Sequence, residues 1–260
     1  MGEYERPAHH LIHMSDPHIL GGPELLYGAV DSEANLVRAL SELTAAGSHP
    51  EAIIFTGDLA DTGDPVAYTK LRRIVEPVCE AMGSEVIWVM GNHDVRGNFR
   101  TQLFSQDYDD SPVDVVYTMS GLRIVTLDTT VPGFHYGLLD PDQLNWLGEV
   151  LTHPAPEGTV LAMHHPPVPC ILDFAVPVEL HEQRKLAEVL RGTDVRAILA
   201  GHLHYSTSAT FAGIPVSVAA ATCYTQDLVG MKPQSTGQGY NMVHVYDDTV
   251  VHSVVPLHGN

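Results

Sequence analysis

Along this chain, short apolar runs finish in side chains that bind metals. The stretch "HHLIHMSDPHILGG", His9 to Gly22, begins like a buried strand and ends in Asp16-Pro17-His18. The next run ends in Gly57-Asp58, and a third in Gly91-Asn92-His93-Asp94. Later runs end in Asp128, in His164-His165, and in Gly201-His202-Leu203-His204. Each fragment alone fits an ordinary turn, but the ordered set does not. Carboxylate, imidazole and an Asn carbonyl, with no thiolate among them, suit Mn, Fe, Zn or similar borderline cations. Asp16, His18, Asp58, Asn92, His164, His202 and His204 are too many ligands for one ion. Two ions sharing a bridging carboxylate fit the count, and such a pair can clamp the oxygens of an in-line phosphoryl displacement.

Other histidines carry the bland reading. His9, His10, His13, His49, His153, His181, His244, His252 and His258 lie outside the set. His13 sits one strand register too early and is expected to pack. Pro17 fixes its own φ and is expected to bias Asp16 toward an extended conformation, holding carboxylate and imidazole at one angle. Asp128 at the site edge is read as structural. His165 is a candidate for supporting the ligands or touching substrate. Phe134, His135 and Tyr136 form an aromatic loop that could line the substrate edge, pack as a loop or make a subunit contact.

These residues need a frame that brings strand ends together. "LIHMS", "EAIIFTG", "EVIWVMG", "TVLAMHH" and "VRAILAGH" read as strands. Asp31 to Gly47 reads as a helix capped by Asp31. Pro65 to Met82 reads as a second helix, expected to break or end near Pro77. Asn98 to Phe104, Pro141 to Leu151 and Glu182 to Leu190 read as further helices. "VDVVYTM" and "LRIVTLD" flank Ser120-Gly121 like a hairpin. After residue 202 the helices stop and consecutive short strands follow. Alternating strand and helix predicts α/β layers, and the β-rich end predicts extra antiparallel strands. Gly230 to Gly239 is the candidate mobile surface loop. No linker or internal repeat divides the chain, so 1–260 is read as a single domain. In open α/β sheets ligands bind beyond the carboxyl ends of the strands, where these ligand-type residues fall.

The bulk composition narrows the function class. Lys+Arg is 13 against Asp+Glu 32, a formal net charge of −19. Counterion-driven binding to nucleic acid polymers or anionic lipid needs the opposite balance. A small anionic substrate remains compatible if a cation supplies local positive charge. Cys79, Cys170 and Cys223 are scattered and odd in number, so reduced thiols are expected. No secretory leader pattern opens the chain, and no apolar run approaches the ~18 residues of a membrane span. The expectation is a soluble cytoplasmic protein.

The fragments "DPH", "GD", "GNHD", "HHPP" and "GHLH", in this order, resemble the calcineurin-like metallophosphoesterase superfamily over residues 10 to 210. The segments "GDLADTGDP", "VMGNHD", "HHPPVP" and "VRAILAGHLHYSTSATFAGIPVSVAAATCYTQDL" further resemble the bacterial class III cyclic nucleotide phosphodiesterases, especially their mycobacterial-type members, over nearly the whole chain. The resemblance implies an α/β fold, a four-layer metallophosphoesterase sandwich of two mixed β-sheets flanked by helices. It implies one metal ion held by Asp16, His18, Asp58 and His204, and another by Asp58, Asn92, His164 and His202, with Asp58 bridging. His93 matches the family's catalytic histidine that does not bind metal. Asp94 is expected to orient it. Asn92, His93 and His135 are the candidate substrate contacts. Two divalent or trivalent ions, Fe, Mn or Zn, are implied, and so is a homodimer. The chain closes on "VVPLHGN", where some relatives continue, so properties governed by such tails are not carried over.

The implied reaction is hydrolysis of 3′,5′-cyclic nucleotides, cyclic AMP to 5′-AMP, by a hydroxide bridging the two metals. The same open site is expected to take 2′,3′-cyclic nucleotides and small aryl diesters. The motifs alone do not separate this from a phosphomonoesterase or nuclease, although the acidic surface counts against a nuclease. A non-catalytic scaffold on the same fold would be expected to lose ligands or His93, and the chain has the full set.

Overall fold

The apolar runs of the sequence form the strands, in a computed structural model that describes residues 4, 6–234 and 236–258. The first half runs β1 (His9–Met14), α1 (Ser32–Ala45), β2 (Ala52–Thr56), α2 (Pro65–Met82), β3 (Glu85–Val89), α3 (Arg96–Leu103), then the hairpin β4 (Val115–Met119) and β5 (Leu122–Leu127). The second half runs α4 (Pro141–Val150), β6 (Thr159–Met163), a short 3-10 helix (Asp173–Val178), α5 (Gln183–Leu190) and β7 (Val195–Ala200). It closes with β8 (Thr207–Phe211), β9 (Ile214–Val218), β10 (Thr225–Asp227), β11 (Lys232–Gln234), β12 (Gly239–Val245) and β13 (Val250–Pro256).

One sheet has the order β13-β12-β1-β2-β3, and the other β4-β5-β6-β7-β9-β8. Both are mixed. The strands that lead into ligand loops pair parallel, while the C-terminal strands add antiparallel edges on either side. Leu11, Ile54, Ile87 and Val243 from the first sheet meet Leu122, Ile124, Val160 and Leu199 from the second in one buried layer. Each such side chain stabilises the fold by roughly 1.5–3 kcal/mol on full burial. The outer face of the first sheet is covered by α1 and α2, through Leu36, Leu40, Leu71 and Val75. The second is covered by α4 and α5, through Leu147, Leu186 and Leu190. The result is the four-layer sandwich of two mixed sheets that the resemblance implied.

Two expectations about elements need correction. Helix α2 does not break at Pro77 but runs on to Met82 and ends in a left-handed Gly83. Val75 and Cys79, on either side of Pro77, are both buried against the sheet, so packing outweighs the lost backbone hydrogen bond. The Gly230 to Gly239 stretch is not simply a loop. Lys232–Gln234 pairs antiparallel with Thr225–Asp227 as a two-stranded hairpin, with Thr225 opposite Gln234; Ser235 lies outside the described residues.

His13 packs inside the first sheet, fully buried, with Nε2 2.9 Å from Thr56 Oγ1. Burial, with the nearby His252, pulls its pKa down to about 3, so it stays neutral.

Candidate metal centre

The ligand-type residues gather at the carboxyl ends of β1, β2, β3, β6 and β7. Asp16 and His18 follow β1, and Asp58 follows β2. Their loops are laced together: Asp16 N–H donates to the Gly57 carbonyl at 3.1 Å, His18 N–H to Asp58 at 2.9 Å, and Ile19 N–H to Leu59 at 3.0 Å. The second sheet is tied in when His202 N–H, just past β7, donates to the Asp16 carboxylate at 3.1 Å. The backbone at these ligands is unusual. Asp16, His18, Asp58, His202 and His204 all have φ between 44° and 71°. That corrects the expectation of an extended Asp16. The left-handed turn at Asp16, opposed by Pro17, is held by the hydrogen bonds to the Gly57 loop and to His202. Asp and His are among the residues that tolerate this region best. Two glycines permit the close approach. A Cβ on Gly91 would fall 2.0 Å from Asp58 N, and one on Gly201 1.9 Å from Ser15 Oγ.

The imidazole tautomers follow from the outer contacts. His18 Nδ1 lies 2.9 Å from Asp61 Oδ1, His204 Nδ1 3.1 Å from the Tyr224 carbonyl, and His164 Nδ1 2.7 Å from the Thr56 carbonyl. Those acceptors take the Nδ1 protons and leave three Nε2 lone pairs pointing inward. His202 is reversed: Nε2 donates to the Val178 carbonyl at 2.9 Å and Nδ1 faces in. The inward atoms crowd one another. His18 Nε2 is 3.3 Å from His204 Nε2, and His164 Nε2 is 3.2 Å from His202 Nδ1 and 3.0 Å from Asn92 Oδ1. Asp58 Oδ2 lies between the groups, 3.5 Å from His18 Nε2 and 3.3 Å from His164 Nε2. Lone pairs facing one another at these distances repel unless a proton or a metal ion sits between them. Asp16, His18, Asp58 and His204 offer donor atoms all within 4.8 Å of one another. Asn92, His202 and Asp58 in turn gather around His164 Nε2, at 3.0, 3.2 and 3.3 Å. The residues fit a dinuclear centre, and the outer carbonyls and carboxylate are the contacts that orient metal-binding histidines.

Electrostatics agree. Burial disfavours a charged Asp58, but His164 and His18 outweigh it and hold the carboxyl well below its usual range. Burial also disfavours a protonated His164, yet the Asp58 charge and hydrogen bond raise it to about 9. His202 and His204 are pulled down to about 3 and about 4 by burial. The Asp58 negative charge thus holds protons on His164 and His18 while His202 and His204 stay neutral, and a bound cation would take the place of those protons.

His93 lines the same cleft and, with His18 and Asp61, forms a further group whose ligand-type atoms lie within 4.8 Å of one another. The His93 backbone N–H donates to Asp58 Oδ1 at 2.8 Å, and its Nδ1 donates to the Asp61 carbonyl at 2.7 Å, so that Nε2 takes part in neither bond. Asp94 does not orient it. The Asp94 carboxylate instead accepts from Leu59 N–H, Ala60 N–H, Gly91 N–H and the Tyr68 hydroxyl, tying two ligand loops together. The orienting residue is Asp61, whose carboxylate holds His18 and whose carbonyl holds His93. Sequence reasoning passed over it, although "GDLAD" places it one turn beyond Asp58.

His165 is buried, with Nδ1 2.7 Å from Thr129 Oγ1 and Nε2 3.0 Å from the His135 carbonyl, so both nitrogens are engaged in holding the 129–135 loop. Asp128 accepts from Arg96, Val113 and Thr130 and anchors the same region. His135 reaches the cleft, with Nδ1 3.0 Å from Asn92 Nδ2. Its neighbours do not: Tyr136 stacks on His181 at 4.3 Å and Phe134 leans on Tyr136. The cleft holds about 270 Å³ and is also lined by Phe174, Tyr224 and Gln226, which no motif singled out. Among the described residues, no helix is long and apolar enough to cross a membrane.

Comparison with known proteins matches residues 9–206 to the family described as calcineurin-like phosphoesterase. The chain is 59% identical, over 98% of its length and 86% of the relative's, to a Rhodococcus erythropolis protein named "Probable cyclic nucleotide phosphodiesterase". It is 57% identical, over 99% of its length and 82% of the relative's, to a "cAMP/cGMP dual specificity phosphodiesterase" of Mycobacterium tuberculosis. A dimetal phosphatase from Danio rerio superposes over 97% of both chains, with a TM-score of 0.70 and 16% sequence identity, a likeness of fold.

Proposed function

The chain belongs to the calcineurin-like phosphoesterase family, and from that premise we propose that it is a cyclic nucleotide phosphodiesterase opening 3′,5′-cyclic AMP to 5′-AMP. The observation that carries the chemistry is the inward crowding of four imidazole nitrogens, two of them beside the Asp58 carboxylate and one beside Asp16. The substrate class rests on the two relatives above half identity, both named for cyclic nucleotides. We assign Asp16, His18, Asp58 and His204 to one ion and Asp58, Asn92, His164 and His202 to the other. Fe, Mn or Zn suits this nitrogen and oxygen set. Bound there, the two ions would supply Lewis acidity and a water made nucleophilic near neutral pH.

The chain's own residues do the rest. Asn92 and His93 face the phosphate, and His93, having taken a second proton from solvent to become the imidazolium, donates it from Nε2 to the departing 3′ oxygen while the Asp61 carbonyl holds the Nδ1 proton. The Asp61 carbonyl keeps the His93 proton on Nδ1 in the resting state and so fixes which nitrogen meets substrate. The open cleft also takes 2′,3′-cyclic nucleotides and small aryl diesters. We read the protein as a cytoplasmic homodimer acting on small molecules rather than on nucleic acid polymers or membranes. Its −19 net charge supports the exclusion of polymers.

The test is kcat/KM for cyclic AMP, 2′,3′-cyclic AMP and an aryl diester, with metal analysis of the same sample. Turnover of all three at two ions per chain supports the reading. Preference for a phosphomonoester, or comparable rates on duplex DNA, overturns it.

A further inference from the structure

The candidate metal ligands share their cleft with an apolar shelf of Leu172, Ala175 and Val178, from the 3-10 segment and the residue before it, and with Phe174. Leu172 and Ala175 are buried and anchor the segment, while Phe174 stays 58% exposed. Tyr224 and Gln226 line the same cleft. The Tyr224 ring lies 4.4 Å from that of His204, and Gln226 N–H donates to the His204 carbonyl at 2.9 Å. Gln226 is thus fixed beside a metal ligand by its backbone. Gln226 lines the cleft, and its Oε1 is buried with no hydrogen-bond partner among the described residues. An unpaired buried acceptor costs stability, and nothing in the fold requires an amide there.

We propose that Gln226 and Phe174 form a nucleobase subsite, Phe174 stacking on the base and the Gln226 amide hydrogen-bonding its Watson–Crick edge. The inference rests on the cyclic-nucleotide reading above and extends it to base recognition. With the phosphate at the metal cluster, a cyclic nucleotide must project its base onto a neighbouring wall. An apolar shelf with one aromatic and one neutral amide matches a base, which has a π face and an edge of mixed donors and acceptors. An amide carries both an acceptor and two donors. By rotating half a turn it serves adenine, which offers N6–H and N1, or guanine, which offers O6 and N1–H. The subsite therefore accepts both purines. A carboxylate in its place could only accept, and would favour guanine, whose N1–H and N2–H both donate.

The experiment compares wild type with Q226E, Q226A and F174A on cyclic AMP, cyclic GMP and bis(4-nitrophenyl) phosphate, which has no nucleobase. In Q226E the ratio of kcat/KM for cyclic GMP to that for cyclic AMP should rise about tenfold, the scale of one good hydrogen bond. In Q226A and F174A the ratio of cyclic nucleotide to aryl diester kcat/KM should fall about tenfold, chiefly through KM. The exposed Phe174 keeps the test open should a Gln226 variant fold poorly. Ratios that do not move in Q226E and F174A overturn the subsite. A wild type that turns over the aryl diester but no cyclic nucleotide overturns the substrate reading itself, and the subsite with it.

Discussion

His93 and Asp61 act on the site in different ways, and substitution should separate them. The His93 ring packs edge-on against His18 at 4.7 Å but makes its bonds to Asp61 and, through its backbone, to Asp58, so H93A should cut kcat by about 10²–10⁴ while metal stoichiometry holds. Metal analysis alongside steady-state rates checks this; loss of an ion together with activity would mean that His93 binds metal. Asp61 grips both His18 and His93. D61A should therefore weaken metal binding about 10–100-fold as well as slow turnover, seen as a higher metal concentration for half-maximal activity. His13 gives a prediction with a pH sign. Its folded pKa lies near 3 against an ordinary value of 6.5, so below pH 6.5 the unfolded chain binds a proton that the folded chain refuses. Stability is lost as pH falls through that window, by roughly 2 kcal/mol between pH 6.5 and 5 from this residue. Urea unfolding of H13Q should show a correspondingly shallower decline than wild type. The seven candidate ligands were legible because each follows an apolar run and carries a donor type. Asp61, Tyr224 and Gln226 were not, because their roles depend on which loops the fold lays side by side.

Helix α2 shows how far local rules reach. Its Asp64 cap, Pro65 start and Gly83 stop are all written in the sequence, yet Pro77 misleads a local reading. The buried face on both sides of Pro77 keeps the helix continuous at the expense of one backbone hydrogen bond. P77A should restore that bond and stabilise the protein by about 1–3 kcal/mol, read as a higher denaturant midpoint with activity unaltered. The β-rich end was legible as strands but not in its partition. β8 and β9 join the second sheet, β12 and β13 join the first, and β10 pairs only with β11. Alternation sets which face a strand buries, not which sheet it finds. The 3-10 segment escaped notice for a related reason. Its Pro177 and its short length give no helical periodicity, and it gains meaning only from lining the cleft.

The candidate ligands divide between the sheets, Asp16, His18, Asp58 and Asn92 on one and His164, His202 and His204 on the other. Ions at this centre would therefore staple two layers otherwise joined by apolar contact and by bonds such as His202 N–H to Asp16. Chelation should lower the melting temperature by on the order of 10 °C if the ions are held well below their working concentration. Read as one domain, the chain should melt in a single calorimetric transition with and without metal. Two separated transitions after chelation would show that the sheets unfold as independent units. The four layers themselves were accessible from the family resemblance, whereas composition and periodicity reached only the alternation of strand and helix.

The left-handed backbone at five of the ligands also constrains how such a protein can change over generations. Asn and Gly are the residues most at ease at those φ values, and β-branched residues are the least. A single-base exchange of Asp for Asn, or of His for Asn, replaces a charged carboxylate or an imidazole by a weaker neutral donor at a candidate ligand position and leaves the turn intact. Lineages that abandon catalysis can thus keep the shape of the cleft, and whatever binds its apolar shelf, long after the metals are gone.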